Sequence, residues 1–146
     1  MPEAVRVLLV DHNAIFRRCL VTLLSERHDV AVVGEASRAD AALDLAHAVQ
    51  PDVVLVDPSV PEGGPSLVAA LQRAAPRAAV LVLVDEPGHG DAALGRPRGY
   101  LPKGYTVDDL VLAIKAAHAS AQTPGDPRPS SERAKPLGYT PQQSPG

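Results

Sequence analysis

Short apolar runs, each about one strand long and each followed by a stretch with helical spacing, constrain this chain more than any other feature. Val5–Val10, Val30–Val33, Val53–Val56 and Val80–Val84 are such runs, and Gly99-Tyr100-Leu101-Pro102 reads as a fifth, very short one. Runs that are apolar almost throughout, here broken by a charge only at Arg6, belong to strands buried on both faces, the condition of a parallel sheet covered by helices. Gly34 is expected to stop the second strand. Asn13 offers an N-cap for a helix carrying Ile15, Phe16, Cys19, Leu20, Leu23 and Leu24 to about Arg27. Ser37, with Asp40 three residues on, has the form of a capping box ahead of Ala41, Leu43, Leu45, Ala46 and Val49, and Pro51 ends that helix. Ser66 can cap a third helix through Leu67, Val68, Leu71 and Arg73. Thr106 with Asp109 caps a last one through Leu110, Val111, Ile114 and Ala117. This order implies right-handed crossovers and an α/β fold, a doubly wound parallel five-stranded sheet with helices on both faces. Between the fourth and fifth strands Pro87, Gly88, Gly90, Gly95 and Pro97 predict a helix that is short or frayed.

One domain accounts for residues 1–120, enough chain to bury a proper core. Residues 121–146 lose all periodicity and are rich in Pro, Gly, Ser and Gln, so a disordered tail is expected there, either a linker or docking peptide or an inert remnant of a lost output domain. The formal net charge of −3 lacks the basic stripe that phosphate neutralisation demands, so direct nucleic-acid binding by this chain is not expected. The single Cys19 excludes an intrachain disulfide framework and a Cys-based zinc site. With no leader-like start and no apolar run approaching a membrane span, the expectation is a cytoplasmic protein with no membrane partner.

Chemistry is most visible at Asp57, a carboxylate placed where the run Val53-Val54-Leu55-Val56 stops, followed by Pro58, Ser59 and Pro61. In open α/β sheets, ligands collect at the carboxyl ends of the strands. Asp11 ends the first strand in the same way.

Val-Arg-Val-Leu-Leu-Val-Asp11, Pro-Asp-Val-Val-Leu-Val-Asp57 with Pro61 four residues on, and Gly99-Tyr100-Leu101-Pro102-Lys103 together resemble the receiver domain of bacterial two-component response regulators. The stretch Val32-Val33-Gly34-Glu35-Ala36-Ser37 is similar to receivers that precede a helix-turn-helix output domain. The resemblance covers about Val5 to Ser120 and implies a flavodoxin-like (βα)5 fold. It also implies Asp57 as phosphoacceptor, Asp11 and the backbone carbonyl of Ser59 as ligands to Mg²⁺, and Lys103 as the point charge on the phosphoryl oxygens. The implied partner is a histidine kinase or another regulatory protein, with a homodimer as a further assembly. Any catalysis is limited to phosphorylation and dephosphorylation of Asp57 itself.

Several positions depart from that pattern. His12 stands where the family has a second acid, and imidazole suits Zn²⁺ or Cu²⁺ better than Mg²⁺, so Mg²⁺ binding is expected to be weakened. Val84 replaces the Thr or Ser whose hydroxyl binds the phosphoryl group and couples it to the aromatic switch position, here Tyr100; with Val84 in place, Tyr100 reads as a surface residue. A hydrogen bond to a charged group is worth roughly 1.5–3 kcal/mol, as much as a typical allosteric coupling. Asp85 puts a carboxylate where a small residue is usual, and an Asp85–Lys103 ion pair would fix the pocket without phosphate. The expected function is an atypical receiver, a regulatory protein-interaction module with weak or absent phosphorylation of Asp57. The alternative is a working phosphoacceptor of a phosphorelay that uses Asp57 and Mg²⁺. A dehalogenase-like hydrolase is disfavoured because Ser59 takes the place of its second acid. A small-molecule sensor built on the altered pocket stays open.

Overall fold

The computed structural model describes residues 4–64, 66–84, 99–102, 104 and 106–121. Its elements run β1 (Val5–Val10), α1 (Ala14–Ser25), β2 (Val30–Ala36), α2 (Ala39–Val49), β3 (Val53–Val56), α3 (Leu67–Ala74), β4 (Ala79–Val84), β5 (Gly99–Pro102) and α4 (Val107–Ala121). All pairings are parallel, in the order β2-β1-β3-β4-β5. The expected sheet is therefore present. The predicted short helix between β4 and β5, Asp85, Lys103 and the tail beyond Ala121 lie outside the described residues.

Alternate side chains of each strand sort to opposite faces, which is why the strands are apolar almost throughout. Val5, Val7, Leu9, Val53, Leu55, Leu81 and Leu83 pack with Leu20 and Leu24 of α1 and with Leu110, Ile114 and Ala117 of α4. Leu8, Val10, Val54, Val56, Val80 and Val82 pack with Ala39, Ala42 and Ala46 of α2 and with Leu67, Val68 and Leu71 of α3. The Ala-rich inner face of α2 suits its place close to the sheet. Arg6 is the one charged residue of β1, and its guanidinium donates to the carbonyls of Val49 and Gln50, at 2.8 and 2.7 Å. It thereby satisfies carbonyls left open at the end of α2, where Gln50 turns left-handed (φ 45°) ahead of Pro51.

Four local expectations are corrected. β2 does not stop at Gly34 but runs to Ala36, because a register shift pairs Val7 with Val32 and Leu8 with Gly34, leaving Val33 as the extra residue of a bulge. A Cβ on Gly34 would sit 3.1 Å from Leu8 Cδ1, so the glycine serves close packing on the sheet rather than chain termination. Ser37 does not cap α2: the N-cap is Arg38 with no side-chain cap bond, and Asp40 Oδ1 instead accepts from the Ala41 N–H and from Arg38 Nε. Ser66 is the N-cap of α3 but also makes no side-chain cap bond. Helix α1 ends at Ser25 rather than Arg27, and of its apolar residues only Leu20 and Leu24 are fully buried, leaving Ile15 83% exposed. The caps predicted at Asn13 and Thr106 are both formed, through Phe16 N–H at 3.0 Å and Asp109 N–H at 3.1 Å.

Candidate functional site at the carboxyl ends of β1 and β3

The chain winds from β1 to β2 on one side and then returns to place β3 on the other side of β1. The β1/β3 boundary is thus the topological switch point, where the crossover connections diverge and leave a crevice. Asp11 and Asp57 are the residues that follow β1 and β3. The ladder places them side by side, with Val10 opposite Val56 and the Asp57 N–H donating to the Val10 carbonyl at 2.9 Å. Asp11 is 2% exposed and Asp57 4%, the two buried acids among the described residues. Carboxylates are rarely buried unless paired or bound to a metal, so their adjacency marks a site of chemistry.

The Oδ1 atom of each carboxylate is fixed by its own loop. Asp57 Oδ1 accepts from the Ser59 N–H at 2.9 Å and from Ser59 Oγ at 2.7 Å. Asp11 Oδ1 accepts from the Asn13 N–H at 2.8 Å. The loop behind Asp57 is tightly wound: the Gly63 N–H donates to the Val60 carbonyl and the Gly64 N–H to the Pro58 carbonyl. A Cβ on Gly63 would fall 2.5 Å from the Pro58 oxygen and 2.8 Å from the Val60 oxygen, so only glycine fits there.

His12 is exposed, yet it belongs to the site. One ligand-capable atom each of Asp11, His12 and Asp57 lies within 4.8 Å of the others. The two carboxylates meet a divalent cation's demand for anionic oxygen, whereas the third donor is an imidazole, which does not suit Mg²⁺. Val84 ends β4 opposite Pro102 in the register, and Tyr100 pairs with Val82. Both are half-buried against the core on the α2/α3 side, so Tyr100 packs on the sheet more closely than a free surface residue.

Two residues passed over in the sequence support this edge. Arg17, one turn into α1, donates from Nη1 to the Asp11 carbonyl and pairs through Nε with Glu35 Oε1 at 3.0 Å. Arg18 reaches the other Glu35 oxygen at 3.9 Å. The signal for this brace was an acid near the end of β2, the strand beside β1, with an Arg on the helix between them.

A parallel sheet with paired carboxylates at its switch point defines a class of α/β proteins whose site lies at the strand ends. The sequence makes the assignment specific: residues 7–115 match the response regulator receiver domain, and the chain belongs to that family. Among relatives, it is 38% identical over 117 residues to the "Probable transcriptional regulatory protein NarL" of Mycobacterium tuberculosis, covering 77% of this chain and 54% of that protein. It is 30% identical over 119 residues to the response regulator GacA of Pseudomonas aeruginosa, covering 79% and 56%. The chain thus spans little more than half of these relatives. The solved receiver domain of NarL from M. tuberculosis superposes with a TM-score of 0.72 at 36% identity, covering 81% of this chain and 98% of that one. A LuxR-family response regulator from Aurantimonas sp. superposes with a TM-score of 0.71 at 31% identity, covering 80% and 86%. The fold and the two-component family are therefore those the sequence indicated.

Proposed function

We propose that this chain is an atypical receiver that works as a regulatory protein-interaction module, in signal transduction or transcription control, with weak or absent phosphorylation of Asp57. The observation that carries the reading is the donor group at the strand ends, where the imidazole of His12 joins the carboxylates of Asp11 and Asp57. The Asp57 carboxylate is 4% exposed, and its Oδ1 takes two hydrogen bonds from Ser59. Around it, the buried Asp11 adds like charge that an incoming phosphoryl group must overcome. An imidazole takes the third place in the donor group, and Val84 offers no hydroxyl to the phosphoryl oxygens.

Transcription control is favoured by the relatives, which include NarL and the DNA-binding transcriptional activator DevR/DosR of M. tuberculosis. A histidine kinase or another regulatory protein is the proposed partner, and a homodimer is a further arrangement open to the chain. Any catalysis is confined to phosphoryl transfer onto and off Asp57. The test is intact mass spectrometry after incubation with Mg²⁺ and acetyl phosphate or a phosphorylated histidine kinase. Little or no phosphoryl adduct is expected. A stoichiometric adduct that is missing in Asp57→Ala would instead establish a working phosphoacceptor.

A further inference from the structure

We propose that Asp11, His12 and Asp57 form a site for a borderline transition-metal dication, with Zn²⁺ as its representative, in preference to Mg²⁺. The inference rests on the reading of this pocket as an altered receiver site, and its novelty is the metal class and the use of His12 as a ligand.

Three observations lead to it. First, the donor atoms of the three side chains lie within 4.8 Å of one another. Bonds of about 2.0–2.2 Å from Zn²⁺ to imidazole nitrogen and carboxylate oxygen need only small side-chain rotations to close that group around one ion. Second, the donor set is mixed. Two carboxylates alone suit a hard cation, but an imidazole beside them moves the preference toward ions that bind nitrogen well, which Mg²⁺ does not. Third, the carboxylates are fixed in place by hydrogen bonds. Asp57 Oδ1 is fixed by the Ser59 N–H and hydroxyl, and Asp11 Oδ1 by the Asn13 N–H. Hydrogen-bond partners that fix a carboxylate or imidazole raise metal affinity substantially, because the ligand is ordered before the ion arrives.

The layout gives each residue a distinct part. Asp11 and Asp57 are buried and supply negative charge from the floor of the crevice, while the exposed His12 on the β1–α1 turn can swing its ring over the ion without disturbing the core. Three protein donors leave the remaining positions to water, the arrangement of an open rather than a closed structural site.

Isothermal titration of the full metal-free chain with ZnCl₂ and with MgCl₂ tests the proposal, together with the visible absorption of a Co²⁺-loaded sample. One equivalent of Zn²⁺ is expected to bind on the order of a hundredfold more tightly than Mg²⁺. His12→Ala should weaken Zn²⁺ at least about tenfold and change the Co²⁺ spectrum, and Asp57→Asn should weaken it similarly. His12→Asp should narrow or invert the preference by restoring oxygen. Mg²⁺ binding as tightly as Zn²⁺ overturns the proposal. So does Zn²⁺ affinity unchanged in His12→Ala or Asp57→Asn, which would assign the ion to other surface imidazoles. These outcomes are independent of the phosphoryl adduct, so the metal preference and the functional reading fail separately.

Discussion

The two ends of the sheet handle acids in opposite ways. At the amino edge, Asp29 precedes β2 and is a surface group with cationic partners, Arg27 at 3.3 Å and Lys115 of α4 at 3.1 Å, while Arg27 also reaches Asp108 at 2.9 Å. Asp52 precedes β3 and accepts from the Arg6 N–H at 2.9 Å. These groups tie the strand starts to neighbouring elements. At the carboxyl edge, Asp11 and Asp57 are buried beside one another with a histidine for company. Exposed ion pairs contribute little to stability and are easily replaced, whereas burying two carboxylates side by side costs free energy that their partners must offset. The difference separates ties between elements from a candidate site within a single sheet.

Substitutions can strike both edges or one. Leu55→Ala, in the middle strand and fully buried, removes packing that both edges share; a loss of about 2–5 kcal/mol in urea unfolding is expected, with cation binding lost in step with folding. Gly63→Ala strikes the carboxyl edge alone. The added Cβ meets two backbone oxygens, so a cost of about 1–3 kcal/mol is expected, with metal affinity in the folded fraction reduced because the loop positioning Ser59 must shift. Asn13→Ala removes the α1 cap and should cost about 1 kcal/mol by the same measurement.

Asp29→Asn belongs to the amino edge and has the smallest effect. Its carboxyl is held well below its ordinary value of 3.8, first by the Arg27 hydrogen bond and then by Lys115. A depressed carboxyl contributes stability that is present above its unfolded value and is lost as pH falls through that value toward the folded one. The melting temperature of Asp29→Asn should therefore lie slightly below that of the parent at pH 7, with the gap closing below about pH 3.8 and shrinking in high salt. Titrations with Zn²⁺ and Mg²⁺ should not distinguish the two proteins. A loss of metal binding in Asp29→Asn would break the division between the edges.

What the sequence made legible follows the range of the forces involved. Strand runs, the Asn13 and Thr106 caps, and the placement of Asp11 and Asp57 at strand ends are local patterns, readable from neighbouring residues. The continuation of β2 through Gly34 depends on Leu8 of the adjacent strand, which no local window contains. Ser37 had capping-box spacing, but the chain enters α2 one residue later, where Arg38 pairs with Asp40 and Glu62. Helical spacing likewise grouped Ile15, Cys19 and Leu23 with Leu20 and Leu24, although α1 buries only Leu20 and Leu24. The Arg17–Glu35 brace at the site joins residues from two elements and carries no motif of its own.

We propose that the pocket's substitutions at positions 12 and 84, rather than the fold, limit phosphorylation of Asp57. Adduct yield by intact mass, measured side by side for the parent chain and the double variant His12→Asp/Val84→Thr in Mg²⁺ and acetyl phosphate, addresses it directly. Little adduct is expected on the parent, with a marked, Asp57-dependent rise in the double variant. Stoichiometric phosphorylation of the parent, with no gain from the double variant, would contradict it.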